Sequence, residues 1–427
     1  MPFRLISLAL IASVLGWMPS LKSETPAPRQ PGEYEPQSAI WLSAEPDNAE
    51  FMHVTARLVK SLQPHVPIKM LLLDDAQVSK ARESLKADGV DIDRVTFCKD
   101  PGATLFMRDG TVFMVGDNSQ LSVLDLKWSM YGLPTWCHKR YSDNPKAEAE
   151  CLSYLKPGDD GLDDYLSHAT NASVVKSPLM LENATFEVNG KGVLLITEAL
   201  AHDRQPNQTR QEIENELLKV PGIKKVIWLG EGLAEDPLGI ATIEGKYVGR
   251  GAGGHTDEFV RFVNANTILL AWVDDERAKD HPIDRINHER MKRNFEILSK
   301  ATDQDGKPFQ VIKVPMPSPV EREVTLAPKT DMVSDWNEVF FHPSEGRKAG
   351  DKVTVVAAAS YLNFIITNDY VLVPSFVEDG TPQAIQDKVR DSMISAFPGR
   401  TIEFVNATPF TWNGGGPHCA TLNEPRH

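Results

Sequence analysis

The stretch that decides the fold reads Phe262-Val263-Asn264-Ala265-Asn266-Thr267-Ile268-Leu269-Leu270. An apolar run, a turn that begins with asparagine and a second apolar run are typical of a β-hairpin. The same pattern occurs at 186–195 and 364–373, and 113–118 has the form of a fourth copy. The sequence therefore predicts a repeated β-hairpin unit.

A polar residue precedes each predicted hairpin, roughly five to seven positions ahead of its turn. These residues are Asp109, Glu182, Asp257 and Asn363. Because repeated units present equivalent positions at equivalent places, we expect the four side chains to meet at one site.

Helical periodicity separates the apolar runs. Apolar residues recur at three-to-four spacing in five otherwise charged segments, at 49–63, 76–88, 210–219, 286–301 and 382–396. Several lead into short apolar runs such as 68–73 and 226–229. This pattern predicts an α/β fold in which strands outnumber helices.

Composition narrows the class of partner. The 427 residues include 45 Lys and Arg against 59 Asp and Glu, a net charge of −14, and 41% are apolar, which is ample for a core. This balance argues against nucleic acid and anionic membranes as partners and mildly favours cationic ligands.

The N-terminus has the pattern of a secretory signal. Arg4 precedes an apolar run over 5–18 that is short for a membrane span, and small residues follow. We expect an exported protein with a signal peptide at 1–23, a linker at 24–32 and one catalytic domain at 33–427, and no membrane contact once the signal is removed. An uncleaved N-terminal anchor is the alternative.

The four cysteines are too few for a disulfide scaffold. In an oxidising compartment Cys137 and Cys151 could pair, which would leave Cys419 free. Cys419 follows the glycines of Trp412-Asn413-Gly414-Gly415-Gly416-Pro417-His418, a segment able to approach a ligand or strand closely. No Cys-x-x-Cys or His-Glu-x-x-His spacing occurs, so a zinc site is not expected.

The segment Gly253-Gly254-His255-Thr256-Asp257-Glu258 carries an imidazole and a carboxylate two positions apart. If it is extended, both side chains point to the same face. One cysteine, one histidine and two or three carboxylates suit a planar guanidinium, because carboxylates accept its fork of N–H donors. A thiolate aimed at the guanidinium carbon, with histidine as proton shuttle, indicates deiminase chemistry.

Five motifs, in this order, resemble those of the Porphyromonas-type peptidylarginine deiminase and agmatine deiminase family, which belongs to the guanidine-modifying pentein superfamily. They are Phe106-Met107-Arg108-Asp109-Gly110, Leu181-Glu182-Asn183-Ala184, Gly254-His255-Thr256-Asp257-Glu258-Phe259-Val260-Arg261-Phe262, Tyr361-Leu362-Asn363 and Gly414-Gly415-Gly416-Pro417-His418-Cys419. The resemblance implies a five-bladed pseudosymmetric α/β propeller of ββαβ units around a central active site.

The resemblance also implies the role of each residue. Cys419 would be the nucleophile that forms a covalent thiouronium, and His255 would move protons. Asp109 and Asp257 would bind the guanidinium. The remaining substrate-binding candidates are Asn363, Glu182 and Trp128. Neither a metal nor an organic cofactor is implied.

Departures from the agmatine deiminase pattern argue against an agmatine pocket, and the expected export favours a peptidyl-arginine substrate. The segment Asp125-Leu126-Lys127-Trp128-Ser129-Met130-Tyr131-Gly132 keeps only two aromatic positions and the final glycine of the agmatine motif. The predicted reaction is citrullination of peptides or proteins with release of ammonia. The alternatives are agmatine deiminase, which serves putrescine biosynthesis, a Cys/His protease and a secreted binding protein. The oligomeric state stays open.

Overall fold

The computed structural model describes residues 28–100, 102, 104–116, 119–153, 155, 161–329 and 336–427. The predicted signal peptide at 1–23 and the first four residues of the predicted linker lie outside this range. Within the described residues, the helices are α1 (Ala49–Leu62), α2 (Asp75–Ala87), α3 (Leu133–Arg140), α4 (Pro145–Ser153), α5 (Leu162–Thr170), α6 (Glu198–Arg204), α7 (Arg210–Leu217), α8 (Pro282–Lys300), α9 (Gln383–Ala396) and α10 (Thr408–Thr411). All five predicted helices are confirmed, as α1, α2, α7, α8 and α9.

Twenty strands alternate with these helices in the described part of the chain, which confirms a mixed α/β fold richer in strands. They are β1 (Gln37–Ser43), β2 (Ile68–Leu72), β3 (Val95–Lys99), β4 (Val112–Val115), β5 (Leu121–Lys127), β6 (Ser173–Met180), β7 (Phe186–Val188), β8 (Val193–Thr197), β9 (Lys225–Leu229), β10 (Leu238–Ile243), β11 (Tyr247–Ala252), β12 (Val260–Phe262), β13 (Thr267–Trp272), β14 (Gln310–Pro315), β15 (Glu321–Thr325), β16 (Lys352–Val356), β17 (Ile365–Ile366), β18 (Tyr370–Pro374), β19 (Thr401–Val405) and β20 (Thr421–Pro425).

Five sheets share one topology. In each, a first strand pairs antiparallel with a second, and the second pairs parallel with a third after a helical connection. The strand triplets are β4-β5-β6, β7-β8-β9, β12-β13-β14, β17-β18-β19 and β20-β1-β2, the last extended by β3. The four predicted hairpins are thereby confirmed, although residues 117 and 118 of the fourth turn lie outside the described range. The second strands are buried along most of their length, and two of them, Val193–Thr197 and Tyr370–Pro374, are buried throughout.

The first strand of each sheet begins two to four residues after a candidate site residue. Asp109, Glu182 and Asp257 stand in or next to 3₁₀ turns ahead of β4, β7 and β12. Asn363 precedes β17, and Cys419 precedes β20 in the same way. Cys419 is thus the fifth member of the series of polar positions read from the sequence.

Two parts of the fold follow no sequence pattern noted above. Strands β10, β11, β16 and β15 form a sixth sheet, which interrupts the chain between β9 and β12 and between β14 and β17. Helices α3, α4 and α5 fill the connection from β5 to β6. Cys137 on α3 and Cys151 on α4 form a disulfide, as the spacing allowed, and Cys98 and Cys419 are free.

The segment just before β1 is tied to the domain. The backbone of Arg29 pairs with Val115, and the Arg29 guanidinium binds Glu35 and the carbonyl of Gly190. The Tyr34 hydroxyl donates to the carbonyl of Asn189 at 2.8 Å. In the part of the chain that the structure describes, no helix has the length and apolarity needed to cross a membrane.

Candidate active site

Cys419 lies in a closely packed turn made possible by glycines. Gly414 adopts φ 84°, and a Cβ added there would lie 2.9 Å from Cα of Gly251. A Cβ on Gly416 would lie 2.5 Å from Oδ1 of Asn363. Larger residues would therefore push the turn away from its neighbours, and Cys419, which is 2% exposed, owes its position to their absence.

The side chain of Asn363 connects the groups around this thiol. Its Nδ2 lies 3.1 Å from Sγ of Cys419, 2.9 Å from Oε1 of Glu258 and 3.2 Å from Oδ2 of Asp257. Its Oδ1 accepts the backbone N–H of His418 at 2.8 Å. The amide therefore holds the thiol and two carboxylates in one cluster.

Asp257 and Glu258 both reach the site because Thr256–Glu258 is a 3₁₀ turn. The extended conformation considered from the sequence is wrong, since an extended strand would send Asp257 and Glu258 to opposite faces. Oδ2 of Asp257 lies 3.4 Å from Sγ of Cys419, and Oε1 of Glu258 lies 3.8 Å from it. The sequence predicts no role for Glu258.

Asp257, Glu258 and Cys419 present ligand atoms close enough together to hold a metal ion. The amide of Asn363, however, already donates toward one atom of each of these three side chains. Their arrangement is accounted for by this hydrogen bonding, and no metal needs to be invoked to explain it.

His255 is held by its backbone. Oδ2 of Asp236, a residue that sequence reasoning missed, accepts the N–H groups of Gly254 and His255, each at 2.9 Å. The ring nitrogen Nε2 lies 3.7 Å from Oε2 of Glu182, and the ring centre lies 6.1 Å from that of Tyr131. Burial disfavours the charged ring, but Asp109, Glu182 and Asp257 outweigh burial and raise the pKa of His255 to about 9.

Asp109 is buried beside Tyr131, whose hydroxyl donates to Oδ2 at 3.0 Å. Burial and the nearby carboxylates of Glu182 and Asp257 raise the pKa of Asp109 to about 7, although His255 opposes them. A cation bound here would restore the ionised form of this carboxyl group.

Glu182 has its charge balanced within the protein. Oε2 accepts a hydrogen bond from Nε of Arg204 at 2.9 Å, and Oε1 accepts one from Ser129. Burial opposes its ionisation, yet Arg204 and His255 lower the pKa of Glu182 to about 2. Trp128, the last predicted substrate-binding residue, is half-buried and packs edge-on against Tyr131 at 4.9 Å between ring centres.

Four buried polar atoms on the predicted site residues and Glu258 have no hydrogen-bond partner among the described residues. They are Oδ1 of Asp109, Nε2 of His255, Oδ1 of Asp257 and Oε2 of Glu258. Because buried polar groups are nearly always paired, such a concentration indicates a polar ligand. Three of the atoms are carboxyl oxygens, which favours a ligand with several N–H donors and a positive charge.

The thiol itself is protonated in the free site. Burial, with the charges of Asp257, Glu258 and Asp109, raises the pKa of Cys419 well above its ordinary value. Burial and the charge of Asp257 likewise raise the pKa of Glu258. A bound cation would offset these negative charges and favour the thiolate.

His418, next to Cys419, connects the site to the start of the domain. Nδ1 lies 2.7 Å from Oδ2 of Asp257, and Nε2 lies 2.8 and 2.9 Å from the two oxygens of Glu33. Burial opposes the ionisation of Asp257, but His418, His255 and Arg108 lower the pKa of Asp257 to about 2. Sequence reasoning assigns no role to Glu33 or His418, although His418 stands next to the predicted nucleophile.

Known proteins resemble this chain in sequence and in fold. A curated agmatine deiminase from Pseudomonas syringae pv. tomato is 25% identical over 414 residues, covering 92% of this chain and 95% of that protein. Agmatine deiminase of Enterococcus faecalis has a similar structure, with a TM-score of 0.70 at 23% identity, over 93% of this chain and 96% of that one. A substrate-bound variant of the C. jejuni agmatine deiminase has a TM-score of 0.64 at 18% identity, over 93% of this chain and 96% of that one.

These structures share the fold of this chain. A family model described as Porphyromonas-type peptidyl-arginine deiminase matches residues 29–425. The chain belongs to the Porphyromonas-type peptidyl-arginine deiminase family.

Proposed function

We propose that this protein is a cysteine-dependent guanidine deiminase, a hydrolase of linear amidines, which converts arginine residues of peptides to citrulline and ammonia. The observation that carries the proposal is the set of unpartnered atoms on Asp109, His255, Asp257 and Glu258 beside the Cys419 thiol. A guanidinium supplies the N–H donors and the positive charge that these atoms lack.

Substrate binding would activate the nucleophile. The guanidinium bridges Asp109 and Asp257, and its charge offsets the carboxylates that keep Cys419 protonated. The thiol proton passes to bulk water, and the guanidinium carbon lies in line with Sγ. Orientation and activation are thus provided by the same two carboxylates.

The chemical steps then use one sulfur and one imidazole. The thiolate forms an S–C bond as the C=N electron pair moves to nitrogen. His255, charged near neutral pH, gives its proton to the departing amine as the C–N bond breaks, so that ammonia leaves a thiouronium. The neutral ring then takes a proton from water, which adds to carbon, and cleavage of the C–S bond releases the ureido product.

One observation supports a peptide rather than agmatine. The carboxylate of Glu182 is already bound by Arg204, so it is less suited to receive the terminal ammonium of agmatine.

Agmatine is the second candidate substrate, because relatives and structural neighbours of this chain are agmatine deiminases. The test is direct comparison of kcat/KM for arginyl peptides, agmatine and free arginine, measured as ammonia release with product identification by mass spectrometry. Faster turnover of peptides supports the proposal. Turnover of agmatine without citrulline formation in peptides would replace it with the agmatine reaction.

We further propose that the five sheets of common topology are the blades of a propeller, with Asp109, Glu182, Asp257, Asn363 and Cys419 one to each blade. The shared strand order supports this arrangement. A crystal structure with a bound guanidino ligand tests it.

Export by the predicted signal at 1–23 is also a proposal. Cell fractionation and N-terminal sequencing of the mature protein test it. A protein that retains Met1 and stays inside the cell contradicts it.

A further inference from the structure

Glu33 stands at the centre of a buried group of charges. Its Oε1 lies against Nη1 of Arg108, its Oε2 lies against Nη2 of Arg261, and both oxygens face Nε2 of His418. The side chain of Glu33 is 13% exposed, and those of Arg108 and Arg261 are 4% and 0% exposed. One carboxylate therefore serves three cationic or potentially cationic groups from distant parts of the chain.

His418 connects this group of charges to the active site. Its other nitrogen, Nδ1, lies 2.7 Å from Oδ2 of Asp257. With Oδ2 engaged by His418, Asn363 and the thiol, the carboxylate of Asp257 leaves Oδ1 for a ligand. The orientation of Asp257 thus depends on a ring whose far side is fixed by Glu33.

We propose that Glu33 is a positioning residue, which orients the guanidinium-binding carboxylate of Asp257 through the imidazole of His418. The proposal rests on the deiminase function proposed above. Glu33 precedes β1, and the residues around it are anchored by Arg29–Glu35 and by the hydrogen bond of Tyr34 to Asn189. Its place is therefore set independently of the Cys419 turn.

The charge state of His418 depends on the same neighbours. Burial and the guanidinium groups of Arg108 and Arg261 lower the pKa of His418, and the carboxylates of Glu33 and Asp257 oppose them. Only an imidazolium can donate to both carboxylates at once. A further charged residue contacts this group around Glu33: Oε1 of Glu187 lies 3.4 Å from Nε of Arg261.

The test compares Glu33→Gln with Glu35→Gln. Both residues are carboxylates of the same segment that bind arginine, but Glu35 binds Arg29 and does not touch His418. We expect Glu33→Gln to raise KM for the guanidino substrate by about 10-fold with little change in kcat per folded molecule, because a misoriented Asp257 weakens ground-state and transition-state binding alike. Glu35→Gln should keep KM within about twofold.

A purely structural role for Glu33 would reduce the folded fraction and leave KM unchanged. Glu33→Asp keeps the charge and should recover part of the KM loss. If Glu33→Gln does not fold, His418→Asn breaks the same connection while Glu33 keeps both arginines, and it should give the same rise in KM. The proposal is overturned if KM is unchanged in Glu33→Gln and His418→Asn, or in His418→Asn alone when Glu33→Gln does not fold.

A second readout does not need turnover. In protein labelled with [15N]histidine, the His418 ring signals, assigned by their loss in His418→Asn, report its titration. Removal of the Glu33 charge should lower the pH at which His418 titrates by about one unit or more, whereas Glu35→Gln should leave it unchanged. The wild-type protein could lack deiminase activity while His418 still responds in this way. In that case the coupling of Glu33 to His418 stands and the proposed function fails.

Discussion

The sulfur of Cys419 lies 3.4 Å from Oδ2 of Asp257, and both side chains are buried. A nucleophilic thiol is usually found beside a cation, because a positive neighbour stabilises the thiolate. Here the neighbour is a carboxylate, which does the reverse. This arrangement suits a nucleophile only if the cation arrives with the substrate. Before substrate binds, the thiol therefore stays protonated and unreactive.

Loss of the thiol should abolish turnover. We expect Cys419→Ser to lower kcat by at least about 1,000-fold, since removal of a covalent nucleophile typically has effects of this size or larger. Ammonia release from arginyl peptide and from agmatine is the measurement.

Cys98→Ser is the matched control, because Cys98 is also a free thiol but lies on β3, away from the site. It should retain turnover. Substantial activity in Cys419→Ser would mean that another group attacks the guanidinium carbon.

The pH profile of kcat/KM should be bell-shaped. Asp109 must lose its proton to bind a guanidinium, so activity falls as the pH drops through about 7. His255 must hold a proton to donate, so activity falls as the pH rises through about 9. Initial rates at low substrate concentration across pH 5–11 measure both limbs, which belong to the coupled site as a whole. A flat profile between about 5 and 8 would count against the role of Asp109.

The close approach at Gly416 makes a sharp prediction. A Cβ would lie 2.5 Å from Oδ1 of Asn363, so Gly416→Ala should displace the amide and lower kcat/KM by about 100-fold, in line with misplacements of about 1 Å near catalytic groups. At Gly230 the nearest atom would be 3.6 Å away, Oδ1 of Asn294, and Gly230→Ala should be tolerated. Equal activity of the two variants would show that the Asn363 contact is dispensable.

The disulfide should matter for stability more than for turnover. Cys137 and Cys151 are 14 residues apart, and closing a loop of this length lowers the entropy of the unfolded chain by the equivalent of about 3 kcal/mol. Cys137→Ala with Cys151→Ala should lower the free energy of unfolding by about that amount in urea titrations and keep kcat.

Dithiothreitol should destabilise the wild-type protein to a similar extent and leave the double variant unaffected. If the reductant has the same effect on both, the disulfide does not form in solution.

Sequence patterns predicted the elements better than the contacts. The hairpin repeat at 186–195, 262–270 and 364–373 was readable because apolar runs and asparagine turns are local signals. Two of the polar positions ahead of these hairpins are in contact, since Nδ2 of Asn363 lies 3.2 Å from Oδ2 of Asp257. The sixth sheet was not predicted, because β11 and β16 pair across about a hundred residues of sequence and nothing local indicates that partner.

Two causes explain why site residues were missed. Glu258 reaches the thiol only because its segment is a 3₁₀ turn, and the extended conformation considered for it would have turned Glu258 away. Glu33 acts across 385 residues of sequence on His418. A long-range pair of this kind leaves no periodicity, so only the folded chain reveals it.

The pairing of β20 with β1 has a consequence for biosynthesis. Cys419 stands two residues before β20, and its turn is completed only when β20 has docked against the strand at Gln37–Ser43. The ribosome synthesises β1 near the beginning of this domain and β20 at its end. The nascent polypeptide therefore contains the carboxylates of the site well before Cys419, and the complete site forms only after the last strand has been synthesised.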